Sequence, residues 1–188
     1  MRRLPPLAAA LVLPLLGCRP PAIPAQPSPG EYAIYNAWLE QTSSTLPPSL
    51  TLAVDDATLA PRQNELQFQQ CLPPRMEDIF DKVPPTTLTS TSGNEWLKLG
   101  DGRSTHLRPA NSPLHFDHPT DWVRLSRVAF TLSGYDAYLW VEHSTCGTHD
   151  KGCSEGSGTL IHGKKSSGSW TFEDTTCQIL LSPTPPQV

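Results

Sequence analysis

Residues 121–181 constrain the fold most strongly, because apolar residues alternate with polar ones there and short polar turns interrupt the pattern. Alternation with a period of two is typical of β-strands. We predict strands at residues 123–130, 137–141, 159–162 and 170–181, and a change of phase near Ser126 predicts a β-bulge. Apolar residues on both faces of 137–141 predict a central, covered strand. Short turns between successive strands predict an antiparallel β-meander.

A helix precedes this β-rich region. Ser28, Pro29 and Glu31 have the spacing of a capping box with proline at the first helical position. One apolar face follows, made of Ile34, Tyr35, Trp38 and Leu39. We also predict a strand at residues 49–54 and a short helix at residues 74–82, before a pair of prolines. The predicted fold class is therefore α+β: an antiparallel β-meander packed with N-terminal helices and stabilised by disulfides.

The first eighteen residues have the pattern of an export signal. Arg2 and Arg3 precede an uncharged apolar stretch that is too short, and too often interrupted by proline, to span a bilayer. The stretch ends in Leu-Leu-Gly-Cys at positions 15–18, which resembles the lipobox of bacterial lipoproteins. The resemblance implies removal of a signal peptide, attachment of lipid to Cys18, and a membrane anchor. We therefore expect the protein in the cell envelope, lipid-anchored to a membrane and facing the extracytoplasmic side.

The domain organisation follows from the proline-rich ends of the chain. We predict a signal peptide at residues 1–17, a lipidated cysteine with a proline-rich tether at 18–30, one globular domain at 31–181 and a disordered tail at 182–188. The chain carries a net charge of −4, and loss of the signal peptide makes it more acidic. This balance argues against nucleic acid as a partner and against a polybasic membrane patch.

Four cysteines remain once Cys18 is lipidated, and four cysteines allow three pairings. The cell envelope is oxidising, so we expect disulfides rather than free thiols. We favour the pair Cys146–Cys153, which closes a glycine-rich loop. The second pair is then Cys71–Cys177, which joins the first half of the domain to the last strand.

Residues 143–162 contain the strongest candidate for a metal site. His143, Cys146, His149 and Cys153 are ligand types that zinc prefers, at nearly suitable spacing, and His162 follows. The oxidising cell envelope favours a Cys146–Cys153 disulfide over thiolate ligands for a metal. We therefore predict a disulfide loop with exposed histidines, no metal and no cofactor. The alternative is a zinc-dependent hydrolase that uses the His143, His149 and His162 region.

Other polar groups are weaker candidates. Asp55 and Asp56 follow the first predicted strand, and we interpret them as part of a solvated turn rather than a metal-binding pair. His115, Asp117 and His118 lie in a proline-rich segment typical of a loop. No G-x-S-x-G sequence surrounds any serine, so no nucleophile elbow is indicated. The tryptophans are interpreted as core residues.

The order of motifs from residue 123 to 172 resembles a known family. The segments at 125–130 and 136–142, then Cys146-Gly147, Cys153, a Gly-Ser-Gly at 156–158 and Gly168-Ser169-Trp170, are similar to an S-R-V-G-F … A-L-V-Y-V … C-G … C-G-x-G … G-K-W pattern. That pattern belongs to uncharacterised bacterial secreted proteins and lipoproteins. The chain departs from it at Ala129 and Ser154. The resemblance implies a fold and a disulfide loop, but it implies no reaction.

These observations predict a cell-envelope lipoprotein that acts as a non-enzymatic binding or structural module. Its expected partners are the membrane, through the N-terminal lipid anchor, and an envelope protein or small ligand of unknown identity. The sequence indicates no catalytic residue.

Overall fold

A computed structural model describes residues 26–47, 49–59, 85–89, 105–110, 112–148 and 152–183. These residues form one helix and six strands: α1 (Pro29–Thr45), β1 (Thr51–Asp55), β2 (Thr105–Arg108), β3 (Thr120–Phe130), β4 (Asp136–Cys146), β5 (Gly156–Ser166) and β6 (Ser169–Leu181). The fold is therefore mainly-β α+β, as the sequence predicts. The predicted helix at 74–82 lies outside the described residues.

The six strands form a single mixed sheet with the order β2-β1-β3-β4-β5-β6. From β3 to β6 each strand pairs antiparallel with the next. In contrast, β1 pairs parallel with both β2 and β3, a feature that the sequence pattern does not predict. Parallel pairing requires a long crossover connection, which the many residues between β1 and its two partners supply. The alternation of apolar residues in the five residues of β1 identifies a strand, but it does not show which strands pair with it or in which direction.

Helix α1 begins as the sequence predicts. The Ser28 hydroxyl accepts from the Glu31 N–H, while the Glu31 carboxylate accepts from the Ser28 N–H at 2.8 Å. The same carboxylate pairs with Arg127 on β3 at 2.6 Å and accepts from the Val128 N–H. Glu31 therefore caps the helix and joins it to the sheet. The four apolar residues predicted to share one face are all buried: Ile34, Tyr35, Trp38 and Leu39.

We call the side of the sheet that shares a hydrophobic cluster with α1 the helix face. Strand residues of that cluster include Val123, Leu125, Leu139, Val141 and Ile161. The Tyr35 hydroxyl also donates to the Ser126 carbonyl at 2.9 Å. Ser126 lies where the β3–β4 register shifts between Leu125 and Val128, which confirms the predicted bulge.

The opposite side, here called the distal face, holds two smaller clusters. One contains Ala129, Trp140, Leu160, Cys177, Ile179 and Leu181, and the other contains Ala53, Leu114, Phe116, Cys146 and Cys153. Apolar groups on both faces confirm that β4 is a covered central strand. The disulfide Cys146–Cys153 is present. The predicted Cys71–Cys177 pair stays a prediction, because Cys71 lies outside the described residues.

Candidate functional site

A cavity of about 230 Å³ lies on the helix face, beside the C-terminal half of α1. Its apolar wall is formed by Trp38, Val123, Val141, Ile161 and Phe172. Its polar wall is formed by Gln41, Thr42, Thr45, Asp121, His143, Thr159 and Asp174. Sites for small molecules typically combine an apolar lining with a few converging polar groups. This cavity has that composition.

The strand register places the polar groups side by side. His143 on β4 lies opposite Val123 on β3 and Ser157 on β5, so all three residues share the helix face. Asp121 lies two residues before Val123 and therefore shares that face as well. The last turns of α1 close the cavity with uncharged side chains, Gln41, Thr42 and Thr45. The charge in the lining thus comes entirely from the strands.

His143 is the centre of the polar wall. Its Nδ1 lies 3.7 Å from Oδ1 of Asp121, and its Nε2 lies 2.7 Å from the Ser157 hydroxyl. Interaction with the Asp121 carboxylate raises the pKa of His143, although partial burial opposes the shift. Protonation of His143 therefore persists to a higher pH than in a free histidine, and the imidazolium then offsets one carboxylate charge in the cavity.

The order Asp121, His143, Ser157 resembles the arrangement of an activated serine, yet the backbone argues against a nucleophile. Ser157 lies in a strand paired on both sides, opposite His143 on β4 and Leu180 on β6. Its surrounding N–H groups are engaged in the sheet, whereas an oxyanion needs N–H donors aimed at the reacting carbonyl. Among the described residues, the array provides a hydrogen-bonded polar wall rather than a catalytic triad.

The structure does not bring His143 and His162 together. His162 lies opposite Tyr138, five residues along β4 from His143, which corresponds to about 16 Å of strand. It also lies on the distal face, where its ring stacks on Tyr138 at 4.6 Å and its Nε2 contacts Asp136 at 2.9 Å. His149 is outside the described residues. Within the described ranges, no group of three potential metal ligands is present.

The predicted solvated turn at Asp55–Asp56 is wrong for Asp55. This carboxylate is buried on the distal face, where it accepts from Arg108 at 2.6 Å and from the Trp122 indole at 2.8 Å. Burial raises the pKa of Asp55, and these hydrogen bonds offset only part of that effect. The sequence gives no sign of the pair, because Arg108 lies on β2, a strand that the pattern does not predict.

Asp55 belongs to a set of residues that crosses the distal face and that we call the polar ladder: Asp55, Arg108, Trp122, Arg124, Glu142 and Trp140. Arg124 pairs with Glu142, which also accepts from the Trp140 indole at 3.3 Å. The two guanidinium carbons lie 5.7 Å (Arg108) and 4.9 Å (Arg124) from the centre of the Trp122 ring. Trp122 is thus half-buried between two cations, while Trp140 is a core residue as predicted.

The remaining sequence candidates are on the surface. His115 and Asp117 are exposed, and their side chains approach only to 4.0 Å. His118 is exposed as well. All three therefore behave as loop residues, as the sequence predicts.

Comparisons with protein-family models, with curated proteins and with solved structures found no match to this chain. The resemblance to secreted bacterial lipoproteins therefore stays a prediction. Along the described part of the chain, no helix has the length and apolar character needed to cross a membrane.

Proposed function

We propose that the protein is a lipid-anchored module of the bacterial cell envelope that binds a small ligand on its helix face and catalyses no reaction. The proposed location in the cell envelope is supported by the positively charged N-terminus, the short apolar stretch and the lipobox-like residues that end at Cys18. The observation that carries the binding function is the cavity with one apolar and one polar wall.

The lining indicates which ligand chemistry fits. At about 230 Å³ the cavity is smaller than the about 300–1,000 Å³ typical of drug-sized ligands, so the ligand is a small molecule. Two carboxylates, Asp121 and Asp174, face it together with one histidine. An apolar body with a cationic amine would place its ring against Trp38 and Phe172 and its charge near the carboxylates. We therefore propose an aromatic or aliphatic amine as the ligand class.

The ligand class is tested with two probes of similar shape and opposite charge. Thermal unfolding of the full chain is followed with phenethylamine and with 3-phenylpropionate. Because a ligand that binds only the folded state raises the midpoint, the amine is expected to raise it and the carboxylate is not. Asp121→Asn should weaken the amine effect, whereas Asp117→Asn, on the surface, should not. A larger response to 3-phenylpropionate would contradict the proposal.

The same cavity predicts a defined pH dependence. The pKa of His143 is raised, so deprotonation removes its positive charge as the pH rises through that raised value. The other charged groups of the lining are the carboxylates Asp121 and Asp174, and α1 contributes no charged group to it. Amine binding should therefore tighten as the pH rises through the raised pKa of His143. His143→Gln should abolish this dependence, as measured by titration calorimetry.

The anchor is tested separately through Cys18. In a bacterial host the full chain should fractionate with membranes, and its intact mass should show lipid on residue 18. Cys18→Ser should release the protein from the membrane fraction, because stable anchoring requires more than one acyl chain on that residue. Ser43→Ala, a substitution on α1 that should not disturb the fold, is the control that leaves the anchor intact. Membrane fractionation that survives Cys18→Ser would contradict the anchor.

We also propose that β3 to β6 form an antiparallel meander and that N-terminal helices pack on it. The antiparallel pairing of β3 to β6 and the cluster shared by α1 and the sheet support this arrangement.

The alternative function, a zinc-dependent hydrolase that uses His143, His149 and His162, has less support, because His143 and His162 lie on opposite faces of the sheet. It predicts stoichiometric zinc in the purified protein. A serine hydrolase built on Ser157 predicts labelling by a fluorophosphonate probe that Ser157→Ala removes. Our proposal predicts neither result, and either one would replace the binding function with an enzymatic one.

A further inference from the structure

One end of the sheet carries exposed apolar side chains that do not pack in the core. We call this end the tip edge: it consists of the β3–β4 turn at residues 131–135 and the β5–β6 turn at 167–168. Leu132 is 102% exposed and Tyr135 is 65% exposed. Isolated exposed apolar residues are common, but these two stand together at a turn. The tip edge is therefore a candidate contact surface.

The turn holds these side chains outward in a defined shape. The Thr131 N–H donates to the Asp136 carbonyl, and the Gly134 N–H donates to the Thr131 carbonyl, each at 3.0 Å. Gly134 supplies the positive φ, 70°, that the turn requires. The Lys165 N–H, near the end of β5, donates to the Tyr135 carbonyl and joins the β3–β4 turn to that strand. Leu132 is therefore presented by a hydrogen-bonded turn.

Basic and aromatic groups flank the two apolar residues. Lys164 and Lys165 are exposed, and the Lys165 ammonium lies 5.8 Å from the centre of the Trp170 ring. Tyrosine, tryptophan and lysine with an exposed leucine are the side chains that favour the boundary between lipid and water. The chemistry of the tip edge therefore suits a lipid surface.

The path of the chain brings the anchor to this same edge. The Gln26 carbonyl accepts from Arg127 at 3.3 Å, and Arg127 precedes the end of β3 by three residues, about 10 Å of strand. Gly30 lies against the Phe130 ring, so α1 also begins near the tip edge. Cys18 is eight residues before Gln26, a separation of at most about 29 Å. The tether can therefore hold the tip edge against the membrane.

The opposite end of the sheet is less accessible to the anchor. Thr120 begins β3 seven residues before Arg127, which places that end about 23 Å from Arg127 in the other direction. A proline-rich tether of eight residues spans about 25 Å, at about 3.1 Å per residue. The tether therefore reaches the tip edge with length to spare, whereas contact at the opposite end would use almost its whole length.

We propose that the tip edge docks on the lipid surface that carries the anchor, with Leu132 and Tyr135 entering the interface. This inference rests on the proposed lipid anchor at Cys18. Docking fixes the orientation of the domain, so that the strands stand away from the bilayer and the opposite end of the sheet faces the envelope space.

The test uses the full lipidated chain in vesicles of phosphatidylethanolamine and phosphatidylglycerol, after intact mass has shown lipid on Cys18. Benzoylphenylalanine is placed at position 133 or, as the control, at position 155, which is exposed near the opposite end. After irradiation, lipid adducts on each position are quantified by mass spectrometry. Adducts should form at position 133 and be absent or rare at position 155.

A second set of variants tests the two apolar residues. Leu132→Ser with Tyr135→Ser should lower the adduct yield at position 133 about tenfold or more, the factor expected for losing at least one buried apolar side chain. Leu180→Ser removes another exposed leucine, 83% exposed and near the opposite end, and should change nothing. Equal lipid adducts at positions 133 and 155, or protein adducts in place of lipid at position 133, would overturn the inference while leaving the anchor intact. Absence of lipid on Cys18 would overturn both.

Discussion

The two faces of the sheet are stabilised by different chemistry. On the helix face an apolar cluster predominates, to which α1 contributes Ile34, Tyr35 and Leu39, and one buried ion pair, Glu31–Arg127, joins the helix to the sheet. The distal face carries the polar ladder, where Asp55 and Arg108 are both buried and paired. Apolar burial has no directional requirement, whereas buried charges need their partners in place. The comparison suggests that the helix face tolerates conservative change, and the polar ladder does not.

The largest effect is expected in the polar ladder. Asp55→Ala leaves the Arg108 guanidinium buried without its carboxylate and removes the acceptor of the Trp122 indole. Loss of one partner of a buried pair costs about 3–5 kcal/mol in the free energy of unfolding. Urea denaturation measures it, and Asp56→Ala, at a half-buried neighbour, should cost about 1 kcal/mol. Equal effects of the two variants would show that the buried Asp55–Arg108 pair carries no special cost.

On the helix face, the loss of stability caused by a substitution should depend on the volume of side chain that is removed. Leu139 is almost completely buried in the cluster shared with α1. Leu139→Ala should lower the free energy of unfolding by about 3 kcal/mol, because it leaves a void. Leu139→Met keeps the volume and should cost less than about 1.5 kcal/mol. If Leu139→Met proved as costly as Asp55→Ala, the tolerance expected for this face would be refuted.

A smaller effect is expected at the start of α1. Ser28→Ala removes the hydroxyl that accepts from the Glu31 N–H and should cost about 1 kcal/mol. Ser43→Ala removes a hydroxyl on the exposed side of the helix and should be neutral or slightly stabilising, because alanine has the higher helix propensity. Thermal unfolding of both variants provides the measurement. An equal loss for Ser43→Ala would argue against the capping box.

The smallest effect is a contrast in pH dependence. Burial alone would raise the pKa of Glu31, but hydrogen bonds from Arg127, Ser28 and Val128 hold it below its usual value. Its contribution to stability is present above the unfolded pKa, about 4.5, and is lost as the pH falls through the folded pKa.

The pKa of Asp55 is raised, so its effect on the pH dependence of stability has the opposite sign to that of Glu31. Acidification through the folded pKa of Asp55 neutralises an unfavourable buried charge and therefore increases stability. In urea titrations between about pH 3 and pH 6, Glu31→Gln should therefore reduce the acid loss of stability. Asp55→Asn should not reduce it. The same response in both variants would show that the two carboxylates do not differ in this way.

The sequence predicts the structural features that depend on a local pattern of residues, and it misses those that depend on contacts between distant segments. The capping box at Ser28, the apolar face of α1, the bulge at Ser126 and the Cys146–Cys153 disulfide are all confirmed. Each of these features depends on residues close together in sequence. The parallel pairing of β1 and the burial of Asp55 depend on β2, which four residues without a clear alternation do not reveal.

The candidate site illustrates the same limit. His143 is a sequence candidate, but its neighbours Asp121 and Ser157 become visible only through the register of β3, β4 and β5. Asp121 and His143 each lie two residues outside a predicted strand, in phase with Val123 and Val141, and extending both strands by that alternation is the signal that could have grouped them. The contribution of Trp38, Thr42 and Thr45 depends on where α1 lies over the sheet, which no local pattern determines.

We expect the helix face, and not the polar ladder, to bind the ligand. Two-dimensional NMR of the full chain with nitrogen-15 label, titrated with phenethylamine, tests it directly through the indole N–H signals. Binding on the helix face should shift the Trp38 indole signal and the His143 ring signals with a common saturation curve, while the signals of Trp122 and Trp140 stay in place. Movement of Trp122 or Trp140 without movement of Trp38 would contradict it.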